Sequence, residues 1–427
     1  MRTLLLAGGL CLAAALPAAA VPLSTDPSTN SSTNDTTRRI ERLEQEVRQL
    51  QAARRPPTPK SANAFNPAVS AVLTGNVWGY GRNPDGYRLP GFQLGDEAGL
   101  AAEGPSLDES EITMQANVDD RLYGQMTTSL TGDATGTDVS VEEAYVDAVR
   151  LPAGLGLRFG RFFSAVAYLN TFHAHAWDFA DAPLAYRAFL GGQLGDDGVQ
   201  LRWLAPTDLF VEVGGEALRG AAFPAGGGHG ATPGVWDLFL HLGGDVGVSH
   251  SWRLGLAQLW ADPRHRDAAI GPASTFTGDS DLSLADLVWK WAPNGNPYRH
   301  SALFQAGYFH REERGLLEDG AGVTGEVGGR QDGLYVQAVY QFLHGWRGGV
   351  RYDWLTGDLH GDSSLLAATG LASGHDPERA TAMVDYSHSE FSRIRAQAAW
   401  DRSGPATDFQ WTLQYIVALG AHGAHAF

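Results

Sequence analysis

The later part of the chain alternates. Leu334, Val336, Ala338, Tyr340 and Phe342 fall on one parity, with Gln337 and Gln341 on the other. Phe409, Trp411, Leu413 and Tyr415 alternate with Gln410, Thr412 and Gln414, and Ile394, Ala396, Ala398 and Trp400 alternate with Arg393, Arg395 and Gln397. Earlier, Ile112, Met114, Ala116 and Val118 oppose Glu111, Thr113, Gln115 and Asn117. A period of two belongs to a β-strand, whose successive side chains point to opposite faces. Residues 63–427 hold about sixteen such runs, an even number. A soluble sandwich also alternates, but its outer face is richly charged. Here the polar face is glutamine, threonine, glycine and arginine, and the apolar face carries Trp and Tyr near strand ends. That combination predicts a lipid-facing exterior and a wet interior.

The connections alternate in length. Short ones read VDDR, PAG, APT, VGVSH, PNGNP, HG and SHSE. Long ones cover 82–108, 166–196, 217–234, 262–279, 313–330 and 357–378; those near 132–138 and 403–406 are short although they fall on the long-loop side. In lipid an open sheet edge leaves backbone groups unpaired, so the sheet must close. The last run, WTLQYIVALGAHGAHAF (411–427), is expected to pair with the first, NPAVSAVLTGNVWGYG (66–81). The predicted fold is all-β: a 16-stranded antiparallel transmembrane β-barrel over 63–427 with a short N-terminal coiled-coil helix.

The first 62 residues follow other rules. Residues 1–20 have Arg2, an apolar stretch from Leu4 to Leu16 and a small-residue ending at Ala20, the three-part build of a secretory signal peptide. A lipoprotein anchor at Cys11 is the alternative. Residues 21–37 are polar and low in complexity and read as disordered. In 38–55, Ile40, Leu43, Val47 and Leu50 follow 3-4-3 spacing, which reads as a two-heptad coiled coil or a lone amphipathic helix. Residues 56–62 continue the proline-rich stretch RRPPTPKS and form a stiff linker.

Composition narrows the function. Lys and Arg number 31 against 48 Asp and Glu, a formal net charge of −17. An exported acidic chain is not a nucleic-acid binder. The single cysteine falls in the leader, so disulfide and thiolate chemistry are excluded from the mature chain. No GxSxG, HExxH or glycine-rich phosphate loop occurs. An enzyme is therefore not expected; an outer-membrane hydrolase with a spatially assembled Ser–His pair is the third reading.

The segments NAFNPAVSAVLTG (63–75), VEEAYVDAV (141–149) and LGLRFGRFF (155–163) resemble bacterial outer-membrane porins, particularly the phosphate-selective type. Residues 173–210 look like proteins labelled zinc-regulated TonB-dependent outer-membrane receptors, although no plug-sized segment precedes the barrel. Phe427 resembles the terminal phenylalanine of such barrels. The resemblance implies an outer-membrane channel for small hydrophilic solutes or ions, a homotrimer, and contact with the lipid bilayer and lipopolysaccharide. It also implies that the loop after strand five, residues 166–196, folds inward as the constriction.

That loop carries Asp178, Asp181 and Arg187, and its HAHAWDFAD stretch sets His173 and His175 beside two carboxylates. Zinc or copper accepts such donors. Hydrogen-bonded loop residues anchored by Trp177 and Phe179, or pore lining without metal, are the other readings. His422 and His425 form a second candidate pair near the chain end. By alternation Arg158, Arg202, Arg253, Lys290, Arg347, Arg351, Arg393 and Arg395 point inward, with Glu143, Asp147, Glu212, Asp286 and Asp353. A basic wall facing an acidic loop would set a transverse field across the pore. Alternatively, these charges pair with one another and brace the wall. Anion and cation selectivity both stay open at this point.

Overall fold

The computed structural model describes residues 67–132, 136–227, 230–372 and 374–420. The expectations for 1–62, His422, His425 and Phe427 lie outside the described residues.

Sixteen antiparallel strands close into one ring. They are β1 (Ala68–Tyr80), β2 (in two pieces, Gly104–Leu107 and Ser110–Asn117), β3 (Leu122–Gly132), β4 (Thr137–Ala148), β5 (Leu155–Phe163), β6 (Gly195–Leu204), β7 (Phe210–Leu218) and β8 (Val235–Val246). The ring continues with β9 (His250–Ala261), β10 (Ser274–Trp291), β11 (Ser301–Asp319), β12 (Thr324–Leu343), β13 (Trp346–Gly361), β14 (Glu378–Ser389), β15 (Ser392–Arg402) and β16 (Asp408–Gly420). A two-residue strand, Arg266–Asp267, adds to β10. Closure is the pairing of β1 with β16, in register from Ser70↔Gly420 to Tyr80↔Gln410. Every backbone edge in the ring is thus paired, as lipid requires.

The alternation places the faces as expected. On β16, Phe409, Trp411, Leu413 and Tyr415 are 45–61% exposed on the outside, while Gln410, Thr412 and Gln414 are buried inside. On β15, Ile394 and Trp400 face out and Arg395 and Gln397 face in. An exterior of this kind is stable only against acyl chains.

Two expectations are corrected. Residues 313–330 are strand rather than loop: β11 and β12 run for 19 and 20 residues and turn at 320–323. Their charged residues Glu312, Arg314 and Glu326 read as loop composition, but long strands reach beyond the lipid-facing belt, where polar residues are solvated on both faces. The interior is also not uniformly wet. The loop between β5 and β6 contains helix α1 (Leu184–Leu190), all seven residues of which are buried. A helix buried on every side must sit in a core. It packs with Leu89, Phe92 and Leu94 of the loop after β1, and with inward Phe309, Tyr335 and Leu355 of β11–β13. Gly333 makes room: a Cβ there would stand 2.5 Å from the Phe189 ring. A second short helix, α2 (Ser363–Ala368), lies in the loop between β13 and β14, capped by Asp362.

Candidate functional site

The lumen is polar on the arc from β12 through β16 to β4, and the loop after β5 crosses it. That loop spans 164–194, two residues earlier at each end than expected, so Asp196 and Asp197 belong to β6. Between Phe172 and Ala182 it is held at both ends by opposite charges.

At one end stands an acidic wall. Glu111 of β2 is inward by alternation, and Glu109, two positions before it, shares its parity; Glu142 does not. Both strands carry an extra residue here, and in β4 that residue is Glu142. Gly75↔Leu107 and Val72↔Glu111 match three steps of β1 with four of β2. Thr127↔Glu143 and Thr128↔Val141 match one step of β3 with two of β4, leaving Glu142 as the bulge residue. A bulge re-aims a side chain, and here both members of the Glu142–Glu143 pair turn inward. Simple alternation found only Glu143; the signal was the adjacent acid pair, since one of two neighbours would otherwise face lipid, where a charge is destabilising.

The loop's imidazoles dock on this wall. His173 Nδ1 lies 3.0 Å from Glu142 Oε2 and 3.2 Å from Glu111 Oε2, and its Nε2 lies 3.0 Å from Glu143 Oε2. His175 Nδ1 lies 2.7 Å from Glu111 Oε1. The two imidazole rings stack at 5.8 Å. Burial pushes the His173 pKa down, but hydrogen bonds to Glu142 and Glu143 outweigh it and hold the ring well above its usual value. One ligand atom each from Glu109, Glu111, Glu142 and His173 all fall within 4.8 Å of one another.

At the other end stands a basic wall. Asp181 accepts from Arg351 Nη2 at 3.1 Å, Arg187 Nη2 at 3.1 Å, Gln397 Nε2 at 2.8 Å and Arg379. Burial alone would raise its carboxyl; Arg379, Arg351 and Arg187 outweigh this and hold it far below the usual carboxylate range. Asp178 pairs with Arg347 at 2.7 Å, and Arg395 donates to the Trp177 carbonyl at 2.7 Å. Asp353, on β13, accepts from Leu184 N at the start of α1 and from Arg351 Nε. Trp177 and Phe179 are both buried, as loop anchors should be.

The other predicted lumen residues mostly pair within the wall. Arg158 binds Asp147 through two bonds of 2.8 and 2.9 Å, with Arg202 at 3.6 Å from the same carboxylate. Arg253 pairs with Asp286, and Glu212 with His241. Two walls of opposite sign stand at the loop's ends, and the loop's acids close directly onto arginines instead of facing a basic wall across water. Arg187, expected on the loop with Asp178 and Asp181, lies on α1 within it and is buried, reaching Tyr87 and the Gly99 carbonyl. Arg379, Glu109 and Glu142 were not foreseen.

Below the loop, on the side of the short turns, lies a cavity of about 580 Å³. His175, Arg393, Val72 and Ile416 line its inner end, and Tyr298, His344 and His388 its mouth. Arg393 is the most exposed of the β13–β15 arginines that face Asp385, at 27% of its side chain. Lys290, on β10, is half-buried.

No family model matches the chain. A protein of Aquifex aeolicus of uncharacterised function is 29% identical over 402 residues, covering 87% of this chain and 82% of that one. Among solved structures, Pseudomonas putida OprB matches with a TM-score of 0.52 at 10% identity, over 83% of this chain and 94% of its own. A loop-deleted OmpT, an outer membrane protein of Vibrio cholerae, matches at 0.52 and 12%, over 84% and 100%. The outer membrane channel DcaP of Acinetobacter baumannii matches at 0.50 and 12%, over 83% and 97%. At these identities the likeness is one of fold.

Proposed function

We propose that this protein is an outer-membrane porin, exported by its N-terminal signal peptide and working by passive diffusion of small hydrophilic solutes or ions. The observation that carries the reading is the loop from Phe172 to Ala182, strung across a polar arc between a glutamate wall and an arginine wall. Such a loop narrows a passage without sealing it chemically and offers charged groups to a solute. The passage runs along the polar arc, past His173, Arg347 and Arg393, into the 580 Å³ cavity. Its partners are the bilayer, lipopolysaccharide and two further copies in a homotrimer; nucleic acid is not among them. The reading is of a non-enzyme.

Single-channel recording in planar bilayers tests this. Stable open steps at neutral pH in the presence of EDTA are the expected result. Protein that inserts, shifts in gel mobility on boiling and stays electrically silent would overturn it.

A second reading, a channel or receptor for a divalent metal, is favoured by one observation: the His173–glutamate cluster sits on the constriction loop.

A further inference from the structure

The two ends of the loop differ in one respect. Around Asp181 the buried negative charge meets three guanidinium groups. Around His173 four carboxylates, Glu109, Glu111, Glu142 and Glu143, converge: the imidazoles of His173 and His175 pair with Glu111, Glu142 and Glu143, and Glu109 hydrogen-bonds Glu142. Buried carboxylates in that number call for a cation.

We propose that Glu109, Glu111, Glu142 and Nδ1 of His173 form a binding site for one divalent first-row transition-metal ion of the zinc or manganese kind. The spacing fits. With metal–ligand bonds of about 2.1 Å, neighbouring donors of a tetrahedral ion stand about 3.4 Å apart. His173 Nδ1 already lies 3.0 and 3.2 Å from the Glu142 and Glu111 oxygens. The donors come from two strands and one loop, so the ion would tie β2 and β4 to the constriction.

The surroundings are those of a ligand set. A metal-binding histidine usually donates its other ring N–H to a carboxylate, which fixes the tautomer. His173 Nε2 is 3.0 Å from Glu143, which Gln125 Nε2 holds in turn at 3.0 Å. The second oxygen of Glu111 is held by His175. His175 thus orients a ligand, and the HAH motif does not act as a chelating pair. Three oxygens and one nitrogen suit zinc or manganese better than the thiolate-seeking ions. The bulge in β4 acquires a purpose: without it Glu142 would not enter the lumen.

This inference goes beyond the porin reading and is tested apart from it. Full-length mature protein in detergent is titrated calorimetrically with zinc chloride and with manganese chloride. One saturable ion per chain is expected, weakened at least tenfold in Glu142→Gln and in His173→Gln, and about 10–100-fold in the supporting variant Glu143→Gln. His422→Asn with His425→Asn is expected to leave the binding unchanged. Should a cluster variant fail to fold, manganese bound to the wild-type protein is read by electron spin-echo spectroscopy, where coupling to a single imidazole nitrogen is expected. Absence of saturable binding, undiminished binding in the folded cluster variants, or bound manganese without nitrogen coupling overturns the proposal. Conductance in EDTA reports on the channel separately.

Discussion

His173 and Glu142 meet at 3.0 Å although Glu142 occupies a position that strict alternation would turn toward lipid. The contact exists because β4 carries one residue more than β3 across it. A local irregularity in a strand thus fixes one end of the loop after β5, and the arginines around Asp181 fix the other.

The Asp181 end carries a large share of the loop's stability. Asp181→Asn leaves Arg187, Arg351 and Arg379 facing one another in a buried site. Breaking a buried ion cluster from one side costs about 3–5 kcal/mol. The expected outcome is a barrel that still shifts in gel mobility on boiling, with the segment around Trp177 newly open to protease.

The same group gives the docking a pH dependence. Asp181 has a lowered pKa in the folded state, set against burial by Arg379, Arg351 and Arg187, with Asp353 and Gln397 also facing it. Its contribution is complete above the unfolded value of about 3.9 and is lost as pH falls through the lower folded value. Loop protection measured by hydrogen exchange is expected to hold from pH 7 to about pH 4 and to fall below that. In Asp181→Asn this acid-induced loss disappears.

Exposure separates the arginine that opens onto the cavity from one sealed inside the wall. The Arg393 side chain is 27% exposed at the cavity and that of Arg351 is 1% exposed. Arg393→Gln is expected to move the reversal potential in a salt gradient toward cations with little loss of stability. Arg351→Gln is expected to lower the unfolding temperature.

Adjacent residues on β16 face different solvents. Leu413 is 48% exposed on the outer face, and Gln414 is 3% exposed inside. Leu413→Lys is expected to cost about 2–4 kcal/mol in unfolding from lipid vesicles, because Leu413 lies near the middle of its strand. Gln414→Ser, which keeps a polar group inside, is expected to cost less than half as much.

Gly333 tests the apolar half of the lumen. A valine there would drive its Cβ into Phe189, Leu355 and Ala185. Gly333→Val is expected to displace α1 and raise single-channel conductance.

The period-two pattern determined the sixteen-strand barrel, the side most residues face and the closure of β1 on β16, because a closed sheet between lipid and an enclosed lumen leaves each side chain only two directions; it missed the strand extensions over 313–330 and the inward turn of Glu142. It also placed Arg347, Arg351, Arg395 and Asp353 inside, and singled out His173, His175, Asp178 and Asp181 on one loop. What it could not carry is which charges meet. Arg379 reaches Asp181, and Glu109 and Glu142 reach His173, only after the loop has folded across the ring and β4 has absorbed an extra residue at Glu142. Those partners are separated by 31 to 198 positions along the chain. Contacts of that range are set by barrel closure and bulge position, which no local period encodes. The apolar filling around α1 was hidden for the same reason: Phe309, Tyr335 and Leu355 face inward by parity, and only the helix laid against them makes that face a core.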